Sequence, residues 1–234
     1  MKISESVTVK SRTYLSIQFV QSAAYFTREA RGKELSGSHP GKPDYYQHRS
    51  YIIGAIWMAS GFLEAYINEL LSDAAENYRE FLNPLEKEVI DLLGRMWKRG
   101  IPRTARYPIL EKYEVSLDLA HKKAFDRGVA PYQDVQVMID IRNALMHCEP
   151  EWMLDGSTAP LQPTDVHKLE KRLKGKFKLN PLTGAGNPFY PDKCLGHGCA
   201  KGCVESSVSL VDEFCERLGT KPTFDHVRAT LNTE

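Results

Sequence analysis

The sequence predicts an all-α protein. Apolar residues recur at spacings of three and four along most of the chain, the signature of helices with one buried face. No run alternates apolar and polar residues as a half-buried strand would, and there is no internal repeat. Proline or glycine closes several of the periodic stretches, as helix ends favour.

Taken in order, Tyr14 to Ala30 reads as a first helix, with Ile17, Val20 and Ala24 on one side. Gly32 to Asp44 is a polar loop rich in glycine and proline. Ser50 to Tyr78 is the longest helix and apolar around most of its circumference, so it belongs at the centre of a bundle. A polar ridge, Ser60, Glu64, Asn68 and Ser72, runs along it at intervals of four. Pro84 to Trp97 forms a third helix, with Asn83 as its cap and Pro84 at the first position. Tyr107 to Arg127 forms a fourth, closed by Gly128, and Tyr132 to Cys148 a fifth, stopped before Pro150. Thr164 to Phe177 is a short basic helix, Pro181 to Gly198 a loop, and Cys199 to Leu218 a last helix closed by Gly219. The expectation is a single all-α bundle over residues 1–234, with its core at about 14–219, a long central helix and a C-terminal helix.

The 234 residues are 42% hydrophobic and 26% charged, which excludes a disordered, collagen-like or membrane-bundle chain. Net charge is +1, so there is no global basic field for nucleic acid, and any such binding must use local clusters. The longest mostly apolar run, Tyr51 to Leu63, falls short of the ~20 residues that cross a bilayer. No export signal is visible at Met1–Glu5, so the expectation is a cytoplasmic protein without a membrane partner. Five cysteines fit reduced thiols better than a disulfide framework.

The fifth helix carries the functional signal, the run Asp140-Ile-Arg142-Asn143-Ala-Leu-Met-His147. On a helical wheel Val135, Met138, Ile139, Leu145 and Met146 form an apolar stripe with Arg142 near its middle. Gln136, Asp140, Asn143 and His147 gather on the opposite side. A guanidinium on a burying face needs a partner, because an unpaired buried charge is costly. Arg142 therefore either pairs inside the protein, with Glu64 as the candidate, or lines a cleft. His147 in turn suits a helix C-terminus, where the dipole favours a cation.

Arg142, a polar Asn143 and His147 five positions on resemble the Arg-x4-His motif of the HEPN-domain ribonucleases. Those domains are helical bundles with a long central helix and the motif late on another, and Phe62 to Leu70 is similar to that central helix in bacterial members. The resemblance covers roughly Tyr14 to Gly219, although only the six-residue motif is tied to chemistry. It implies an endoribonuclease with Arg142 and His147 as catalytic residues and Asn143, Asp140 and Glu64 as auxiliary ones. It also implies RNA as partner, a homodimer whose two motifs meet in one cleft, and a toxin or antiphage role with an antitoxin or regulatory protein. The alternative is a non-catalytic module of the same fold that binds RNA, a nucleotide or a protein.

The chemistry is coherent on its own terms. The ribose 2′-OH can attack the adjacent phosphorus if a base takes its proton and an acid protonates the leaving 5′ oxygen. Histidine titrates near neutrality and suits either task, and arginine stabilises charge on the phosphoryl oxygens. Neither cofactor nor metal is required. On an ideal helix positions five apart lie ~140° apart, so Arg142 and His147 do not share a face. Either the last turn loosens, or two chains build the site.

Two basic clusters are candidate RNA contacts. One runs from Arg95 to Arg106 and contains Arg99 and Arg103. The other contains Lys168, Lys171, Arg172, Lys174, Lys176 and Lys178. Both could grip phosphates, and both are equally compatible with solvated faces. Cys194, His197, Cys199 and Cys203 are suitable zinc ligands in poor spacing, without a Cys-x-x-Cys pair, so no metal site is assigned. Gly184-Ala-Gly186 lacks the strand and helix that a phosphate loop requires.

Overall fold

Helix α2, Pro43–Glu76, is apolar on most of its surface and organises the bundle. The computed structural model describes residues 11–37, 43–78, 81–100, 107–148, 167–184 and 186–234. Among these every regular element is helical and no strand occurs. Helix α1, Leu15–Leu35, lies along one side of α2, where Gly61 and Gly54 leave room for the rings of Phe19 and Phe26. Helix α7, His197–Leu218, lies along another side. Helices α3, Lys87–Lys98, α4, Ile109–Leu119, and α5, Tyr132–Met146, complete the cover of α2. One apolar core runs through all of them, with the Tyr113 ring of α4 edge-on to Phe214 of α7 at 4.9 Å. A four-residue helix, α6, Glu170–Leu173, and a 3-10 segment, Asp225–Leu231, lie outside this set.

Helix ends account for most departures from the sequence reading. Three helices close with the same device, a left-handed residue whose neighbour's N–H reaches back five positions. Gly219 does so after α7 (φ 84°), Asn77 after α2 (φ 55°) and His121 after α4 (φ 55°). The bonds are Thr220 N–H to Cys215 O, Tyr78 N–H to Asp73 O and Lys122 N–H to Leu117 O, each 2.9 Å. Only the glycine was readable as a stop, so α4 ends at Leu119 rather than at Arg127. Asn83 does not cap α3. Residues 81–85 form turns, Leu85 N–H bonds Leu82 O at 2.8 Å, and the helix starts at Lys87. Helix α1 continues through Gly32 to Leu35, and α2 starts at Pro43, a residue suited to the first helical position.

The basic helix expected from Thr164 to Phe177 is reduced to Glu170–Leu173, and Thr164 lies outside the described residues. Gly175 turns the chain at φ +81°, and residues 176–178 then run against α7. There a Cβ at Gly198 would stand 2.6 Å from Lys178 O, and one at Gly202 would strike the Phe177 ring. Packing against two glycines of α7 outweighs the local helical pattern. Helix α2 is, by length and composition, long and apolar enough to cross a membrane, and half of that apolar window is buried in the bundle.

The start of α1 is clamped to the end of α2. Arg12 pairs with Asp73 and Glu76 at 2.6 Å each, and the Tyr14 hydroxyl donates to Asp73 Oδ2 at 3.2 Å. Burial raises the Asp73 carboxyl to about 6 even with the Arg12 charge opposing it. The folded state therefore holds this proton more tightly than the unfolded chain does. Its contribution to stability is complete below the unfolded value near 4 and is lost as pH rises through about 6. Wild type should lose on the order of 1–3 kcal/mol relative to Asp73→Asn between pH 4 and pH 7. Urea midpoints of the two proteins across that range check it, and parallel curves would reject it.

Candidate functional site

The polar ridge of α2 is a row of docking posts for side chains from three other segments. At one end Ser72 Oγ accepts from Arg12 at 3.0 Å. In the middle Lys112 of α4, only 1% exposed, donates to Glu64 and to Asn68 Oδ1, the latter at 3.2 Å. Asn68 Nδ2 donates back to Glu64 at 3.2 Å. At the other end Ser60, itself buried, accepts from Nε of Arg142 on α5 at 3.2 Å.

Arg142 is therefore on this ridge but one turn away from Glu64, whose carboxylate is taken by Lys112. The expected Arg142–Glu64 pair is replaced because a lysine on the buried face of α4 takes Glu64 as its only carboxylate partner among the described residues. Glu64 holds α4, not Arg142, and its auxiliary role is confined to positioning α2. The remaining partners of Arg142 are Asn143 Oδ1 at 2.9 Å and Met146 Sδ at 3.7 Å. All three acceptors are neutral, and no carboxylate among the described residues neutralises the guanidinium. Arg142 also lies at the edge of the buried face, not its middle. Val137 and Ile141 are buried, Ile139 is half-buried and Met146 is 56% exposed, which rotates the core-facing side of α5 away from the arginine.

His147 follows immediately. Its N–H closes α5 on Asn143 O at 2.9 Å, its backbone leaves helical geometry (φ −108°, ψ 41°), and its side chain is exposed. No direct hydrogen bond joins it to Arg142 among the described residues. Asn143 thus touches both members of the motif, Arg142 through its amide oxygen and His147 through its carbonyl. Asp140 faces elsewhere. It pairs with Arg172 just after α5's midpoint and accepts from Gln136 at 3.4 Å. Rather than orienting the motif, it ties the basic segment to α5.

The basic residues divide into two groups. Arg172 and Lys176 pair with Asp140 and Asp134, the second at 2.9 Å, so both fasten residues 167–178 onto α5. Lys168, Lys171 and Lys174 are exposed on the same segment, as is Arg99 at the end of α3. Arg103 lies outside the described residues.

Cys194, Cys199, Cys203 and Cys215 are buried core thiols, and Cys148 is exposed. A hydrogen bond with Cys203, together with burial, pushes the Cys199 thiol well up, and burial raises Cys215 to about 11. His197 Nε2 meets Thr233 O at 2.8 Å instead of joining the cysteines. Among the described residues no three His, Cys, Asp or Glu side chains are grouped to hold a metal. A cleft of about 850 Å³ lies far from the motif, at the other end of α5, between Pro131, Lys176–Lys178 and the start of α7. Its cations are largely engaged by acids that line it, Lys176 by Asp134 and Arg31 and Lys201 by Glu234.

One residue of the site escaped the sequence reading. Lys112 was visible as a lysine amid Ile109, Leu110, Tyr113 and Leu117, all buried. Trp57, one turn before Ser60, is 44% exposed on a helix that is otherwise mostly covered. No family model, no curated protein and no solved structure matches the chain.

The Lys112–Glu64 pair is asymmetric, since the Glu64 side chain is 39% exposed and the lysine is not. Glu64→Gln leaves a buried ammonium with neutral acceptors only, and should cost about 2–4 kcal/mol. Lys112→Met leaves a carboxylate that water can reach and keeps the apolar stem, and should cost less. Chemical denaturation of both variants checks the order, and a more damaging Lys112→Met would reverse the argument.

Proposed function

We propose that the chain is a metal-independent endoribonuclease of the HEPN type, acting as a homodimer. One observation carries the reading. Arg142 is held at a helix end by three neutral groups, its charge is not cancelled by any described carboxylate, and the exposed His147 lies just beyond it. A guanidinium so anchored is positioned for an anion that no described carboxylate supplies.

In this reading Arg142 donates to the non-bridging oxygens of a phosphodiester. A neutral His147 takes the proton of the ribose 2′-OH as its oxygen bonds to phosphorus. The bond to the 5′ oxygen breaks, and that oxygen takes the proton back from the same His147, now protonated. The products are a 2′,3′-cyclic phosphate and a 5′-OH, with proton transfers balanced between base and acid. Asn143 holds the guanidinium, and Lys168, Lys171 and Lys174 add phosphate contacts. The toxin or antiphage setting and a neutralising partner follow only from the resemblance of Arg142–His147 to that group. The second reading, a binding module without catalysis, rests on the same uncancelled charge and the absence of a hydrogen bond between Arg142 and His147.

Labelled RNA incubated with the protein and a chelator should acquire cyclic-phosphate ends. Arg142→Ala and His147→Ala should each lose roughly 100-fold or more in rate while staying folded. Unfolded together and refolded as heterodimers, they should recover part of the activity if each site draws Arg142 from one chain and His147 from the other. Proven heterodimers without recovery would place a complete site in each chain. Parent variants that cleave normally would leave the binding module as the better reading.

Replacing Lys168, Lys171 and Lys174 by glutamine should flatten the slope of log K against log salt by roughly 2 units on single-stranded RNA, as three fewer counterions are released. An unchanged slope identifies these lysines as a solvated face.

A further inference from the structure

We infer that Trp57 is a stacking platform for an unpaired nucleobase next to the phosphate held by Arg142, so that the site takes single-stranded RNA. The inference rests on the ribonuclease reading for the reaction, but its own observation is independent of that chemistry.

Helical positions three apart are neighbours, with Cβ atoms ~5–6 Å apart, and a helical side chain leans over the turn on its N-terminal side. Ser60, whose Oγ anchors the Arg142 guanidinium, is such a neighbour of Trp57. The indole is 44% exposed and Met146, which touches the same guanidinium, is 56% exposed. A large aromatic side chain is thus exposed to solvent one helical turn from the anchor of a cation that no described carboxylate neutralises. Those two features together match a nucleotide, an aromatic base linked to an anionic phosphate, better than an apolar peptide, which would leave the charge unanswered. A base inside a duplex has both faces stacked already and cannot use the indole. Stacking also tolerates any base, so the contribution is to affinity and strand state more than to sequence.

Trp57 fluorescence provides the test, against the background of Trp97 and Trp152. The protein is His147→Ala, so that RNA stays intact, titrated with a short single-stranded RNA and with the same sequence as a duplex. Quenching is expected with the single strand only, and it should vanish in Trp57→Phe, which lacks the reporting indole. On the single strand Trp57→Ala should bind roughly 5- to 100-fold more weakly and Trp57→Phe nearly normally. Cleavage by the unmutated protein is scored separately. Quenching without cleavage supports the platform and overturns the ribonuclease reading. Cleavage with no quenching and unaltered affinity in Trp57→Ala overturns the platform and leaves that reading standing. Neither signal removes both. If Trp57→Ala instead shifts the sedimentation of the free protein and leaves RNA affinity unchanged once subunits are saturated, the indole is a subunit contact and the proposal fails.

Discussion

The buried ammonium of Lys112 is the constraint on which the candidate site depends. A lysine that is almost entirely enclosed must find an anion, since a bare charge in the core would cost far more than the few kcal/mol by which a domain is stable. Glu64 answers it, with Asn68 bridging the two. This fixes the rotation of α2 about its axis relative to α4. Once that rotation is set, Ser60 one turn back has to face α5 and Ser72 two turns on has to face the N-terminal segment. Apolar packing alone would not choose so sharply, because α2 is apolar on most sides and could turn by a few tens of degrees while still burying its surface.

The allocation of the single ridge carboxylate matters as much as its position. Lys112 and Arg142 both reach the ridge, and Glu64 goes to the cation that water cannot reach. Arg142, at the open edge, receives a hydroxyl, an amide oxygen and a thioether. Such acceptors direct a guanidinium without cancelling its charge. Against the same helix, Arg172 and Lys176 show the opposite case. Each meets an aspartate of α5, and each serves to fasten a segment. The contrast is between cations matched by carboxylates and one that, among the described residues, is matched by neutral groups.

The sequence made the bundle legible through its period, and the motif through residue type at a helix end. Asn143 was legible too, since a polar residue beside the arginine can reach its head group. The end of α4 was not, because His121 adopts the left-handed conformation that glycine advertises and other residues conceal. The partner of Arg142 was misread for a different reason. Both Ser60 and Glu64 sit on one helical ridge, and only the competing Lys112, 48 residues from Glu64, decides between them. A local pattern carries no information about such a competitor. The same holds for Asp140, whose partner Arg172 comes from beyond a long connection.

What holds Arg142 without neutralising it includes the helix itself. The last carbonyls of α5 carry a partial negative charge of about half a unit, spread over the final turn. The guanidinium reaches Met146 in that turn, and His147 caps it. A diffuse half charge stabilises a cation by only ~0.3–1 kcal/mol at an exposed helix end, too little to compete with a phosphate that offers two oxygens and a full charge at hydrogen-bond distance. A carboxylate in the same place would compete on equal terms and would have to be displaced. Anchoring by a serine, an asparagine and a helix end thus keeps the arginine in place with no described carboxylate on it, as the proposed phosphate site requires. Any replacement of Ser60 or Asn143 by an acid would convert Arg142 from an available charge into a structural one.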